Sequence, residues 1–271
     1  MGAIPENVHV RVEIATDGQL VRVTDKLQGP EVLPPGQNGN ILQAFEDRPI
    51  RWDAWDIDVF FEDRLEVIDQ PQSLEIIAFG PIRVALRVTT KGRSSTITQT
   101  IRLHAHSARI DFETEVDWHE THTFLKAAFR ANLETNAAQF DIQWGFVARG
   151  TARDTPFDTA LFEGPAQKWA QVSEPGCAVA LLNDCKYGYD LHHGIMRITL
   201  IKSLIQPNPG ADQGRHGFTC ALLPILGADR AVLDREAYEV NAPCGCWIRC
   251  WGAGFQTRRC RRDLCARMRP M

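Results

Sequence analysis

Apolar and polar residues alternate with a period of two over many short stretches of the chain. Val8, Val10, Val12 and Ile14 interleave with His9, Arg11 and Glu13. Val84, Leu86 and Val88 do the same against Arg83, Ala85 and Arg87, and Ile110, Phe112, Thr114 and Val116 against Asp111, Glu113 and Glu115. Met196, Ile198 and Leu200 interleave with Arg197 and Thr199, and Phe218, Cys220 and Leu222 with Gly217, Thr219 and Ala221. Successive side chains on a strand point to opposite faces, so each stretch predicts a half-buried strand. Alternation in place of solid apolar runs predicts antiparallel sheets with one wet face. Asp17-Gly18 suits a hairpin turn, and Leu33 to Asn40 and Gln206 to Gly214 read as Gly/Pro/Asn loops. The best helix signal runs from about Asp229 to Glu239, with Asp229 as N-cap. No repeat of fixed period is present. The expected class is all-β: a large antiparallel sandwich with few short helices.

Composition narrows this picture. A chain of 271 residues buries a sizeable core. A hydrophobic share of 44% with 24% charged residues is that of a soluble globular protein. The net charge of −4 gives no reason to expect nucleic acid or a membrane as partner. No apolar run approaches the roughly 20 residues that span a bilayer. Met1 to Asn7 lacks the basic and apolar regions of a secretory signal, so the expected compartment is cytoplasmic. Of the eight cysteines, Cys177, Cys185 and Cys220 are scattered and the other five crowd the C-terminal end from Cys244 on. Without an export signal, disulfides are not expected. From Cys244 onward there are seven arginines and five cysteines with no structural period. The spacing of those cysteines suits a zinc knuckle poorly. The domain reading is therefore a sandwich over 1–243 and an aberrant, disordered tail without function over 244–271.

Three regions hold candidate chemistry. Trp52, Asp53, Trp55, Asp56 and Asp58 stand close together in one short segment. Indole faces stack on the C–H faces of sugars, and carboxylates accept hydrogen bonds from hydroxyls. The same residues suit a surface loop whose tryptophans pack and whose aspartates cap backbone. Asp56 and Asp58 would share a strand face if extended, a spacing that permits a glycosidase pair. In the second region, Leu181-Leu-Asn-Asp-Cys-Lys-Tyr-Gly-Tyr-Asp190, an apolar run enters a polar cluster of Asn183, Asp184, Lys186 and Tyr187, with the turn placed around Gly188. Such strand ends carry sites on rigid scaffolds, and a tight turn with Asn183 and Asp184 bonding their own backbone fits equally. The third region is histidine-bearing: His104 and His106 would share a strand face, and His119 and His122 flank Glu120 and Thr121. Neither pair has an obvious third metal ligand. There is no P-loop, no G-x-S-x-G and no G-x-G-x-x-G after a strand.

Five blocks together resemble one family. Phe45-Glu-Asp-Arg-Pro49 with Trp52 to Asp58, Val116-Asp-Trp-His-Glu120, Pro165-Ala-Gln-Lys-Trp-Ala170, Leu182 to Asp190, and Ala211 to Thr219 are similar, in order, to the C-terminal region of glycoside hydrolase family 38, the α-mannosidases of cytosolic and bacterial type. The resemblance runs over about residues 7–243 and implies a supersandwich of the galactose-mutarotase kind. It implies hydrolysis of terminal α-mannosides with retention in the full-length enzyme, with carbohydrate as ligand. The nucleophile, the acid/base carboxylate and the zinc site belong to an N-terminal catalytic domain, which would be this chain's partner. The resemblance thus implies truncation at both ends, no catalytic or metal residue and no cofactor in this chain, and no activity for it alone. Asn183, Asp184, Lys186, Tyr187, Trp52, Asp53, Trp55, Asp56 and Asp58 are the candidates for touching carbohydrate. A stand-alone carbohydrate-binding module using Trp52 and Trp55, and a mutarotase-like epimerase using His119 with Asp117 or Glu120, are the alternatives.

Overall fold

The computed structural model describes residues 2–27 and 31–242, so the Cys/Arg-rich segment 244–271 lies outside the described residues. The chain opens with a hairpin of β1 (Val10–Ile14) and β2 (Leu20–Asp25), turned at Asp17-Gly18 as the sequence predicts. It continues through β3 (Ile41–Glu46), a 3-10 turn η1 (Val59–Asp63) and β4 (Leu65–Val67). Five longer strands follow: β5 (Pro71–Phe79), β6 (Arg83–Gly92), β7 (Ser95–His104), β8 (Ile110–Trp118) and β9 (Thr123–Arg130). Then come β10 (Ala137–Ile142), β11 (Gly145–Gly150), a short helix α1 (Pro156–Ala160) and β12 (Gly164–Pro165). The series ends with β13 (Trp169–Glu174), β14 (Cys177–Asn183), β15 (Gly188–His192), β16 (Ile195–Ser203), β17 (Gly214–Leu226) and helix α2 (Arg230–Asn241).

Two large sheets form from these strands. One has nine strands in the order β11-β10-β13-β14-β17-β8-β7-β6-β5, the other six in the order β12-β15-β16-β9-β3-β4. Every pairing within them is antiparallel. The apolar set of each alternating strand meets in one core. Phe112, Ile110 and Val116 of β8 join Leu125, Ala127 and Phe129 of β9 and Met196 and Ile198 of β16 there. The rings of Phe112 and Phe129 lie 5.5 Å apart across the interface. Val10, Val12, Leu20 and Val23 of the first hairpin belong to the same core. Asn40 fixes that hairpin by donating to Gly18 O (3.0 Å) and Gln99 Oε1 (2.9 Å). A buried amide is thereby paired inside the core instead of standing unsatisfied.

Two local expectations need correcting. β7 ends at His104, and His106 falls in the turn beyond it, so the two histidines do not share a strand face. The turn in the Leu181–Asp190 block lies at Asp184–Cys185, and Gly188 is the first residue of β15. The glycine there serves close packing: a Cβ at Gly188 would fall 2.4 Å from Glu163 Oε1.

The helix signal is confirmed. Asp229 has extended backbone, and its carboxylate accepts from Ala231 N at 2.8 Å. That is the N-cap contact expected of it. Leu233 and Ala237 of α2 then lie on the outer face of the nine-stranded sheet, over Trp169, Ala180, Leu182, Ala221 and Leu223. Among the described residues no helix is long and apolar enough to cross a membrane, and the three described cysteines are free.

Candidate functional site

The outer face of the six-stranded sheet carries the most unusual chemistry. Alternation sends Leu125, Ala127 and Phe129 of β9 inward, which leaves Phe124 and Lys126 facing outward. Arg197 of β16 and Asp190 and His192 of β15 point the same way, since Met196, Ile198, Tyr189 and Leu191 point into the core. Two segments cover this face. The first is the loop 47–58 with η1, held by Asp58, whose carboxylate accepts from Phe60 N at 3.1 Å. The second is residues 151–163 with α1, capped by Thr155. Phe61 of η1 seats against Phe45 (5.1 Å), Phe124 (5.7 Å) and Phe162 (5.4 Å). Aromatic packing thus closes the cover.

Beneath it lies an ion-pair network. The Asp190 side chain is fully buried; its Oδ1 accepts from Arg153 Nη2 (2.7 Å) and His192 Nδ1 (2.8 Å), and its Oδ2 from Arg197 Nη1 (2.9 Å). Glu62 Oε1 accepts from Arg153 Nη1 (3.0 Å) and Arg197 Nη1 (2.6 Å), tying η1 to both arginines. Lys126, also fully buried, donates to Glu163 Oε2 at 3.0 Å and lies 3.6 Å from Asp190. Its ammonium stands 4.5 Å from the Phe124 ring centre and 4.8 Å from that of Phe61, close enough for cation–π attraction. Burial alone would push the Asp190 carboxyl up; His192, Lys126 and Arg197 outweigh it and hold the group well below the usual range. Glu62 is lowered in the same way against its own burial by Arg197 and Arg153.

Glu62, Asp190 and His192 are the group that, by distance, could gather round a metal ion among the described residues. The chemistry does not fit one. Both carboxylates already accept from guanidinium groups, and a cation placed there would face Arg153, Arg197 and Lys126. The cluster is a fastener for the cover.

Between the two covering segments opens a pocket of about 400 Å³, lined by Trp55, Asp56, Ile57, Val59, Ala160, Phe162 and Glu163. Trp55 is 75% exposed, and Trp52 braces it edge-on with ring centres 6.3 Å apart. Glu163 forms part of the wall. Its Oε1 accepts from Thr199 Oγ1 at 2.6 Å and its Oε2 from Lys126, so the carboxylate is held in place from below. A second cavity, of about 410 Å³, lies by β4 and is lined by Glu46, Arg48, Arg64, Glu66, Arg93 and His122 among others. Its arginines are paired within it, Arg48 and Arg64 on Glu46 and Arg93 on Glu66.

The sequence candidates separate into two kinds. Trp52, Trp55 and Asp56 lie at the surface of the cover, with Trp55 and Asp56 in the pocket itself. Asp53 turns inward, accepting from Ile205 N (2.8 Å) and Gln206 N (2.9 Å), and so pins the loop to the segment just after β16. The segment is a turn, not a strand: Trp55 N and Asp56 N both donate to Trp52 O, and Asp56 and Asp58 accept from the backbone at Ile57 and Phe60. The shared strand face that would pair Asp56 with Asp58 is therefore absent.

In the other block, Asn183 is fully buried and spends its amide on Gln167 O (2.8 Å), Tyr189 Oη (2.6 Å) and, through Oδ1, Lys186 N (2.7 Å). It is closed to a ligand. Asp184 accepts from Thr219 N at 3.0 Å and locks the turn to β17. Lys186 lies over Phe218 at 4.7 Å, and Tyr187 is exposed. Ala166 N donates to Tyr187 O, so residues 160–166 stand between the two groups of candidates. His119 Nε2 lies 3.1 Å from Asp117, both half-exposed at the end of β8, and His122 Nδ1 lies 4.0 Å from Asp53.

Comparison with known proteins bears on this geometry. Residues 6–210 match the Glycosyl hydrolases family 38 C-terminal domain. The chain is 36% identical over 245 residues to Alpha-mannosidase 2C1 of Homo sapiens, covering 88% of this chain and 23% of that protein. It is 36% identical over 244 residues to Alpha-mannosidase G of Dictyostelium discoideum, covering 87% of this chain and 22% of that one. The chain thus spans less than a quarter of the length of these curated relatives. The crystal structure of an alpha-mannosidase from Enterococcus faecalis superposes with a TM-score of 0.74 at 16% identity, over 89% of this chain and 31% of the other, which shows the shared fold.

Proposed function

From the premise that the chain belongs to glycosyl hydrolase family 38, as its C-terminal domain, we propose that it is the non-catalytic sandwich of an α-mannosidase acting on terminal α-mannosides. The observation that carries this is the match over residues 6–210 to that C-terminal domain, in a chain that aligns with less than a quarter of the relatives' length. The retaining chemistry, with its carboxylate pair and zinc, then resides in the rest of such an enzyme. The chain's own aspartates support this division, because Asp53, Asp58 and Asp184 are each committed to holding backbone.

Two separate patches, Trp52, Trp55 and Asp56 on the cover and Lys186 and Tyr187 beyond residues 160–166, are the parts proposed to face carbohydrate. A cytoplasmic setting fits the free state of the three cysteines among the described residues. The purified chain is expected to give no turnover of an aryl α-mannoside, with or without added zinc. Turnover that disappears in Asp56→Asn or Asp58→Asn would overturn the non-catalytic reading.

A further inference from the structure

We propose that the pocket between loop 47–58 and helix α1 is a binding subsite for a neutral sugar, an α-mannosyl unit, with Trp55 as stacking platform and Asp56 and Glu163 as hydroxyl acceptors. The choice of mannose rests on the family reading; the choice of a neutral sugar rests on the pocket alone.

Its volume of about 400 Å³ is that of a site for a small ligand. Trp55, Ile57, Val59 and Phe162 supply apolar wall, and the exposed indole offers a flat face to the C–H side of a pyranose. The ionisable groups in the lining are Asp56 and Glu163, both acidic. Glu163 is ion-paired with Lys126, so the repulsion of phosphorylated or carboxylated sugars rests on Asp56, while both carboxylates suit the donor-rich edge of an uncharged sugar. It also argues against an apolar protein partner, which would bury Glu163 against a surface with no donors.

Glu163 is set in advance. Lys126 and Thr199 fix its two oxygens from beneath, and the Lys126 ammonium is itself clamped between Phe61 and Phe124. A ligand then binds without first ordering that side chain, which lowers the entropic cost of association. On this reading the buried lysine is a positioning residue for a surface acceptor.

The test is titration of the purified 271-residue chain with methyl α-mannoside, methyl α-glucoside and mannose 6-phosphate, followed by calorimetry and ligand-observed NMR. Saturable binding of the mannoside is expected, with mannose 6-phosphate at least tenfold weaker. Trp55→Ala should weaken binding at least tenfold, and Asp56→Asn severalfold, with unchanged melting temperatures. Trp144→Ala, at the exposed tip of the β10–β11 hairpin, should leave binding as it is. Glu163→Gln should weaken binding too, and because it touches the buried network it is scored only if its melt stays cooperative; Asp56→Asn carries the acceptor test otherwise. No saturable binding, or binding untouched by Trp55→Ala, overturns the subsite. Equal binding of the glucoside and the mannoside overturns the α-mannosyl assignment. Neither result depends on the turnover assay, so failure of this site and failure of the non-catalytic reading are told apart.

Discussion

On the nine-stranded sheet, α2 covers the outer face by laying Leu233 and Ala237 over Trp169, Ala180, Leu182 and Leu223, with buried charge gathered at one corner where Arg109 joins Asp111 and Glu236. On the six-stranded sheet, η1 and residues 151–163 are held down by Asp190, Arg153, Arg197, Glu62 and Lys126, with phenylalanines filling the gaps. The two seals differ in kind. Burial of apolar surface is non-directional and tolerates small shifts of the helix. An ion-pair network demands particular geometry and fixes the orientation of each member, while adding little net stability over an apolar seal of the same shape. The sandwich uses the second kind where its cover also carries Trp55, Asp56 and Glu163.

The contrast is sharpest at Asp190. Asp190→Ala leaves Arg153, Arg197 and Lys126 buried without their shared carboxylate, at an expected cost of about 3–5 kcal/mol. A urea melt measures it, and a loss below about 1 kcal/mol would show that the network does not hold the cover. Leu233→Ala removes an apolar contact that the helix can partly refill by settling, for an expected loss of about 2–5 kcal/mol, toward the lower end. A cost larger than that of Asp190→Ala would reverse the ranking of the two seals.

Acid distinguishes them by mechanism. Asp190 and Glu62 are depressed in the fold. Their contribution is therefore complete above the unfolded carboxylate range, about pH 4, and is lost as pH falls toward the folded values. Residues 151–163 should become the first protease-sensitive segment as pH drops below about 4, while α2 stays protected. Cleavage at α2 first would contradict this order. The smallest effect is at the helix cap: Asp229→Ala removes the partner of one N–H and should cost about 1 kcal/mol, read as a small shift in melting temperature.

The two seals also differ in how well the sequence announces them. The α2 cover is legible because it is local: a capping aspartate and a helical stretch with apolar positions stand together in one segment. The period-two stretches at Ile110–Val116 and Met196–Leu200 likewise place their own strands. The ionic seal joins Asp190, His192 and Arg197 of one hairpin to partners 37 to 135 residues away, such as Arg153 on Asp190 and Glu62 on Arg197, and no local pattern links those distant ones. One signal was available. Lys126 interrupts the apolar run Phe124 to Phe129, and a charge amid buried strand positions calls for a partner. The candidate site was half legible for the same reason. Tryptophan and aspartate density drew attention to residues 52–58, but which aspartates face outward is set by backbone contacts with Ile205 and Gln206, far along the chain. Glu163, which completes the pocket, stands alone in its segment and gave no pattern to read.

The nine-stranded sheet ends in β5 on one side and β11 on the other, and the two margins are not alike. β5 begins with Pro71 and its register slips twice, between Pro71 and Ser73 and between Ile76 and Ala78. A proline and two bulges make it a poor template for a further strand, even with Ile76 and Phe79 exposed. β11 runs in unbroken register with β10 and starts just after the fully exposed Trp144. Strand addition is thus opposed at the β5 margin, while the β11 margin keeps a regular backbone edge.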